Sequence, residues 1–118
     1  MLKLPKAALL SLSALTLAMS ASLATAAEVK SVAVTAIVEH PALDAARDGI
    51  LDALNEAGYQ QGENLKWQYQ SAQGNTGTAA QIARKFIGDK ADVLVGIATP
   101  TAQALVAGTR QIPIVFTA

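Results

Sequence analysis

Apolar and polar positions change period repeatedly along this chain, and each change marks an element. Ala7 to Met19 is apolar except at Ser11, Ser13 and Thr16. Ser31–Val38 (SVAVTAIV) is β-branched and almost continuously apolar, the pattern of a strand buried on both faces of a parallel sheet. Pro41–Ala57 switches to a helical period. Ala42, Ala45, Ala46, Gly49, Ile50, Ala53, Leu54 and Ala57 define one face, opposite Asp44, Arg47, Asp48, Asp52, Asn55 and Glu56. Pro41 suits the first helical position and Gly58 the residue after the end. Leu65–Ser71 (LKWQYQS) alternates, with Leu65, Trp67 and Tyr69 on one face and Lys66, Gln68 and Gln70 on the other, which suits a strand near a sheet edge. Gly74-Asn75-Thr76-Gly77 is a turn cluster. Thr78 and Gln81 have capping-box spacing for a second helix that presents Ala79, Ile82, Ala83, Phe86 and Ile87 and stops at Gly88. Val93–Ala98 (VLVGIA) is a third buried strand. Thr99 as N-cap and Pro100 in the first turn open a third helix, which ends at Gly108. Ile112–Thr117 is a fourth strand, expected to be buried. The order β-α-β-α-β-α-β predicts an α/β fold: an open parallel sheet with helices on both faces and right-handed crossovers.

The apolar N-terminal run reads as an address. Lys3 and Lys6 precede it, Ala24-Thr25-Ala26 supplies the small-x-small pattern that signal peptidase accepts, and the first acidic residue is Glu28. The run is short for the ~20 apolar residues of a spanning helix. Met1–Ala26 is therefore predicted to be a cleaved secretory signal peptide, and residues 27–118 the exported α/β unit. With no cysteine there is no lipobox, disulfide, thiolate nucleophile or cysteine metal site. The chain carries nine basic and nine acidic residues; loss of Lys3 and Lys6 leaves seven against nine, a net charge of −2 with His40 neutral. That balance lacks the basic footprint of nucleic-acid binding, and no basic amphipathic helix suggests a membrane surface. The last residues read as a strand with no closing element, so the chain is expected to be a truncated reading frame or a fragment and not a complete domain.

Open α/β sheets bind ligands beyond the carboxyl ends of their strands, near the switch in strand order. Three loops fall there: Val38-Glu39-His40-Pro41, Ser71-Ala72-Gln73-Gly74-Asn75 and Ala98-Thr99-Pro100-Thr101-Ala102-Gln103. Thr117 ends the fourth strand on the same rim. The third loop opens a helix, whose unpaired N–H groups and dipole can hold a carboxylate or phosphate without a lysine; the Thr99 and Thr101 hydroxyls would add donors beside Pro100, which has none. The same pattern also serves as a plain helix cap. His40, the only histidine, has no second His or Cys beside it, which argues against a metal site. Glu39 is open to reading as a ligand contact, an ion-pair partner or a solvated charge. Trp67 and Tyr69 form either a stacking platform or, more simply, the cover of an outer strand. Ser31 and Ser71 lie in no nucleophile elbow, and the glycines match neither a phosphate loop nor a dinucleotide fingerprint. No catalytic set, cofactor or metal is predicted. A binding module, which needs shape, a helix start and a few polar groups, fits better than an enzyme.

The segments EHPALDAARDGILDALNEAGY (Glu39–Tyr59), SAQGN (Ser71–Asn75), ADVLVGIATPTAQAL (Ala91–Leu105) and IPIVFTA (Ile112–Ala118) together resemble the substrate-binding proteins of ABC transporters, in the group that includes the tryptophan/tyrosine-type binding proteins. The resemblance implies the first lobe of a type I periplasmic-binding-protein-like fold, with ligand held between two lobes that close on it. It implies a small-molecule ligand, an amino acid and plausibly an aromatic or hydrophobic one. The partners would be an ABC permease and its ATPase, the location periplasmic, and membrane contact through the permease alone. By position, the ligand contacts would be Glu39, His40, Gln73, Thr99, Pro100, Thr101, Ala102, Gln103 and Thr117. Two competing readings stay open: a piece of an exported open α/β enzyme whose catalytic residues lie elsewhere, and a receiver-type signalling domain. An export signal, and the lack of an acidic cluster or a strand-end aspartate, count against the second.

Overall fold

A computed structural model describes residues 28–118; the predicted export segment, Met1–Ala26, lies outside them. The elements are β1 (Lys30–Ala36), α1 (Pro41–Glu56), β2 (Leu65–Ser71), α2 (Thr76–Gly88), β3 (Val93–Ile97), α3 (Thr99–Gly108) and β4 (Ile114–Thr117). The strands form one fully parallel sheet in the order β2-β1-β3-β4. The chain first moves outward from β1 to β2, then returns across β1 to β3 and on to β4. The strand order therefore switches between β1 and β3, where their carboxyl ends leave a crevice.

Period-two alternation in the central strands feeds a core on each face. Val32, Val34 and Ala36 of β1 join Leu65, Val95 and Ile97 beneath α1. Ala33 and Leu94 point the other way, where Ala79, Ile82, Ala83 and Phe86 of α2 meet Leu105 of α3. The continuous apolar character of β1 and β3 is thus explained by helices on both sides. Trp67 and Tyr69 pack beneath α1, with the Arg47 guanidinium 4.7 Å from the centre of the Tyr69 ring. They cover this face of the sheet. Arg47 also bonds Asp48 at 2.9 Å, which raises the guanidinium above its ordinary value.

Several expected details differ. The α1 stripe is rotated: Leu43, Ala46, Ile50, Leu51 and Leu54 face the sheet, whereas Ala42, Ala45, Gly49, Ala53 and Ala57 are exposed. A leucine removes more apolar area from water than an alanine, so the helix turns its leucines inward. The cap of α2 is Asn75, not Thr78. Its Oδ1 accepts from Thr78 N at 3.0 Å, and the helix starts three residues earlier than predicted. At α3, Ala98 occupies the cap position and Thr99 is already helical. Finally, β4 is the last strand of the described residues, and there Val115 and Phe116 are 52% and 73% exposed.

Candidate functional site

The carboxyl-end rim is built by hydrogen bonds that run from loop to loop. Gly74 N, after β2, donates to Ile37 O, after β1, at 2.6 Å. Ile37 N donates to Ile97 O at the end of β3 (3.4 Å), and Ala98 N donates to Thr117 O at the end of β4 (2.9 Å). The three loops and Thr117 are therefore tied into one ledge across the switch point. The ledge is made of backbone groups, and so nothing in the side-chain pattern announces it.

The β3–α3 corner is its most unusual part. Ala98 has φ 76° and ψ 153°, a region that side-chain-bearing residues avoid at a cost of about 1–3 kcal/mol. Three contacts hold it there. Its N–H reaches Thr117 O, its carbonyl accepts from Ala102 N at 3.2 Å, and the Thr101 hydroxyl lies 2.8 Å from the same carbonyl. That hydroxyl is also 2.6 Å from Ile97 O, and Thr101 is wholly buried. Gly96 lets the helix lie against the strand, since a Cβ there would meet Ala102 Cα at 2.8 Å. Ala102 is the first α3 residue whose N–H bonds back along the chain, which leaves the Thr99 and Thr101 amides at the helix start without a backbone acceptor among the described residues.

These positions sort the expected contacts. Thr99, Gln103 and Thr117 are exposed and line one end of an open groove of about 640 Å3, whose walls continue through Ala102, Val106 and Phe116. Pro100 is half-buried in the first turn of α3. The Thr101 side chain is a correction: its hydroxyl is spent on Ile97 O and Ala98 O and is no ligand donor, leaving its amide alone available. Gln73, at φ 53°, is exposed beside Gly74 on the ledge. His40 caps α1, with Nδ1 accepting from Ala42 N at 3.2 Å, while Glu39 beside it is solvent-exposed. Among the described residues, no group of three or more His, Asp or Glu is placed to hold a metal ion. A second groove, of about 420 Å3, lies near Lys30, Leu65 and Val93 at the opposite ends of the strands. Ala98 itself escaped sequence reading, because an alanine carries no signal of positive φ.

Residues 31–118 match the family model described as ABC transporter substrate binding protein. The chain belongs to this family. It is 44% identical over 89 residues to a protein named tyrosine-binding protein from Clostridioides difficile (strain R20291), covering 75% of this chain and 26% of that relative. Among solved structures it is similar to a conserved domain protein from Vibrio cholerae O1 biovar El Tor (62% identity, TM-score 0.75). It is also similar to a Streptococcus pneumonia ABC domain in complex with L-Trp (31% identity, TM-score 0.72). These alignments cover 76% and 75% of this chain and 30% of each solved chain. The chain thus spans under a third of the length of these relatives.

Proposed function

We propose that this chain supplies one wall of an extracytoplasmic amino-acid-binding cleft, in a protein that hands its ligand to an ABC permease driven by a cytoplasmic ATPase. Its part is to bind and not to catalyse. The observation that carries the reading is the tied rim. The amides at the start of α3 are presented beside exposed Thr99, Gln103 and Thr117, at the end of an apolar groove. An α-carboxylate suits the helix start, where backbone donors and the dipole favour an anion without a neighbouring cation. An apolar or aromatic side chain suits the groove. The relatives support this ligand class, one being named for tyrosine and another solved with L-Trp. Export through the predicted signal segment Met1–Ala26 places the cleft in the periplasm.

The test is a titration of the isotope-labelled 118-residue chain with L-tryptophan and, separately, with L-tryptophanamide, which lacks the carboxylate. The Thr99 and Thr101 amide resonances shift with the acid and stay still with the amide, in the millimolar range expected of a single wall. Equal shifts from both compounds, or none at α3, would overturn the placement.

A further inference from the structure

We propose that Thr101 is a positioning residue: its buried hydroxyl, shared between Ile97 O and Ala98 O, locks Ala98 at positive φ and so fixes the direction in which the first turn of α3 leaves the sheet. The inference deepens the proposed amino-acid site and rests on that reading for its functional meaning. The lock itself rests on geometry alone.

Ala98 is the pivot between β3 and α3, and its backbone angles are those of a glycine. A residue there would relax to an ordinary φ unless its surroundings prevented it. Rotation at Ala98 swings the plane of the Ala98–Thr99 peptide and with it the Thr99 amide. The bond from Ala98 N to Thr117 O restrains one side of the pivot. The other side carries the Ala98 carbonyl, held by Ala102 N and by the Thr101 hydroxyl at 2.8 Å. The hydroxyl reaches across the pivot, because Ile97 O, at 2.6 Å, belongs to the strand. One side chain therefore joins the last strand residue to the pivot. Ile97 O also accepts from Ile37 N, so the lock connects with the β1 loop as well. The Thr101 side chain has no exposed surface with which to meet a ligand directly.

The test uses the 118-residue chain and the variants Thr101→Val, Thr101→Ser, Ala98→Gly and the double variant Ala98→Gly/Thr101→Val. Two quantities are read: hydrogen exchange at the residue 98 amide, and the L-tryptophan-induced shift of the Thr99 amide. Thr101→Val accelerates exchange at residue 98 about tenfold, the loss expected for one buried hydrogen bond, and diminishes the Thr99 response. Thr101→Ser restores both. In the Ala98→Gly background, where positive φ needs no lock, Thr101→Val changes exchange by less than about twofold. Equal acceleration in the alanine and glycine backgrounds, or none in either, would overturn the lock. Should tryptophan leave the unmodified chain unmoved, the ligand placement falls while the exchange cycle still decides the lock. If Thr101→Val does not fold, Ala98→Gly decides alone: it raises the melting temperature if Ala98 is held under strain and lowers it if not.

Discussion

The same substitution, glycine to alanine, is expected to have opposite signs at Gly96 and Gly49. A Cβ on Gly96 would lie 2.8 Å from Ala102 Cα and 2.9 Å from Ala102 N, both backbone atoms of α3. Ordinary contact begins at 3.4 Å, so the shortfall is 0.6 Å and no side-chain rotation can relieve it. The helix must lift, and Thr101, one residue before the contact, would lose its bonds at 2.6 and 2.8 Å to the end of β3. Overpacking of this kind costs about 1–3 kcal/mol, offset by about 0.5–1 kcal/mol from removing a glycine from a strand. The net loss is about 1–2 kcal/mol, or a fall in melting temperature of roughly 5–15 °C for a unit of this size. Gly49 lies in α1 with nothing within 4 Å of the added Cβ. Alanine there gains about 1 kcal/mol of helix propensity. Urea unfolding followed by far-UV circular dichroism and by fluorescence of Trp67, the single tryptophan, measures both variants. A Gly96→Ala chain as stable as the parent would refute the close approach of α3 to β3.

Other outcomes follow from single contacts. Asn75→Ala removes the Oδ1 acceptor for Thr78 N and should cost about 1 kcal/mol in urea unfolding; Asn75→Asp, which keeps the acceptor, should cost little. Phe116→Lys places a charge on the β4 edge and into the apolar groove. Sedimentation velocity should show less self-association for this variant, because a charged edge resists strand pairing. Arg47→Leu keeps apolar cover over Tyr69 but removes the cation and the ion pairs to Asp44 and Asp48. Arg47 and Asp44 keep 27% and 33% of their side-chain surface and Asp48 64%, so the pairs are still reached by solvent and thermal melting should move by no more than about 1 kcal/mol.

Strands β2 and β4 show why the fold was legible and its surroundings less so. Along β2, the alternation of Leu65, Trp67 and Tyr69 with Lys66, Gln68 and Gln70 declares an edge strand, and β2 is one. Along β4, Ile114, Val115 and Phe116 read as buried on both faces, and within the described residues Val115 and Phe116 stand exposed. The apolar pattern records that a strand suits burial. It does not record which neighbour covers it. The α1 stripe failed in a similar way. A run rich in small residues suits several faces equally, and packing against the sheet chose the one that buries Leu43, Ile50 and Leu54.

The candidate site divides along the same line. The loops that form the rim were readable, because alternation of strands and helices dictates which connections lie at the carboxyl ends. The family, too, is carried by local segments, Glu39–Tyr59 and Ala91–Leu105 in combination. The hydrogen bonds that join the loops were not readable. They link Gly74, Ile37, Ile97, Ala98 and Thr117 through backbone atoms, which every residue possesses. Nor was the fate of the threonines: Thr99 and Thr101 look equivalent beside Pro100, and only the turn of the helix exposes the first and buries the second. By itself the sequence determined the order of elements, the apolar faces of the central strands and the place of the rim, because these follow from local periodicity. The tertiary structure alone decided which hydroxyl faces solvent and which alanine bends into positive φ, because each depends on groups that meet only after the sheet has assembled.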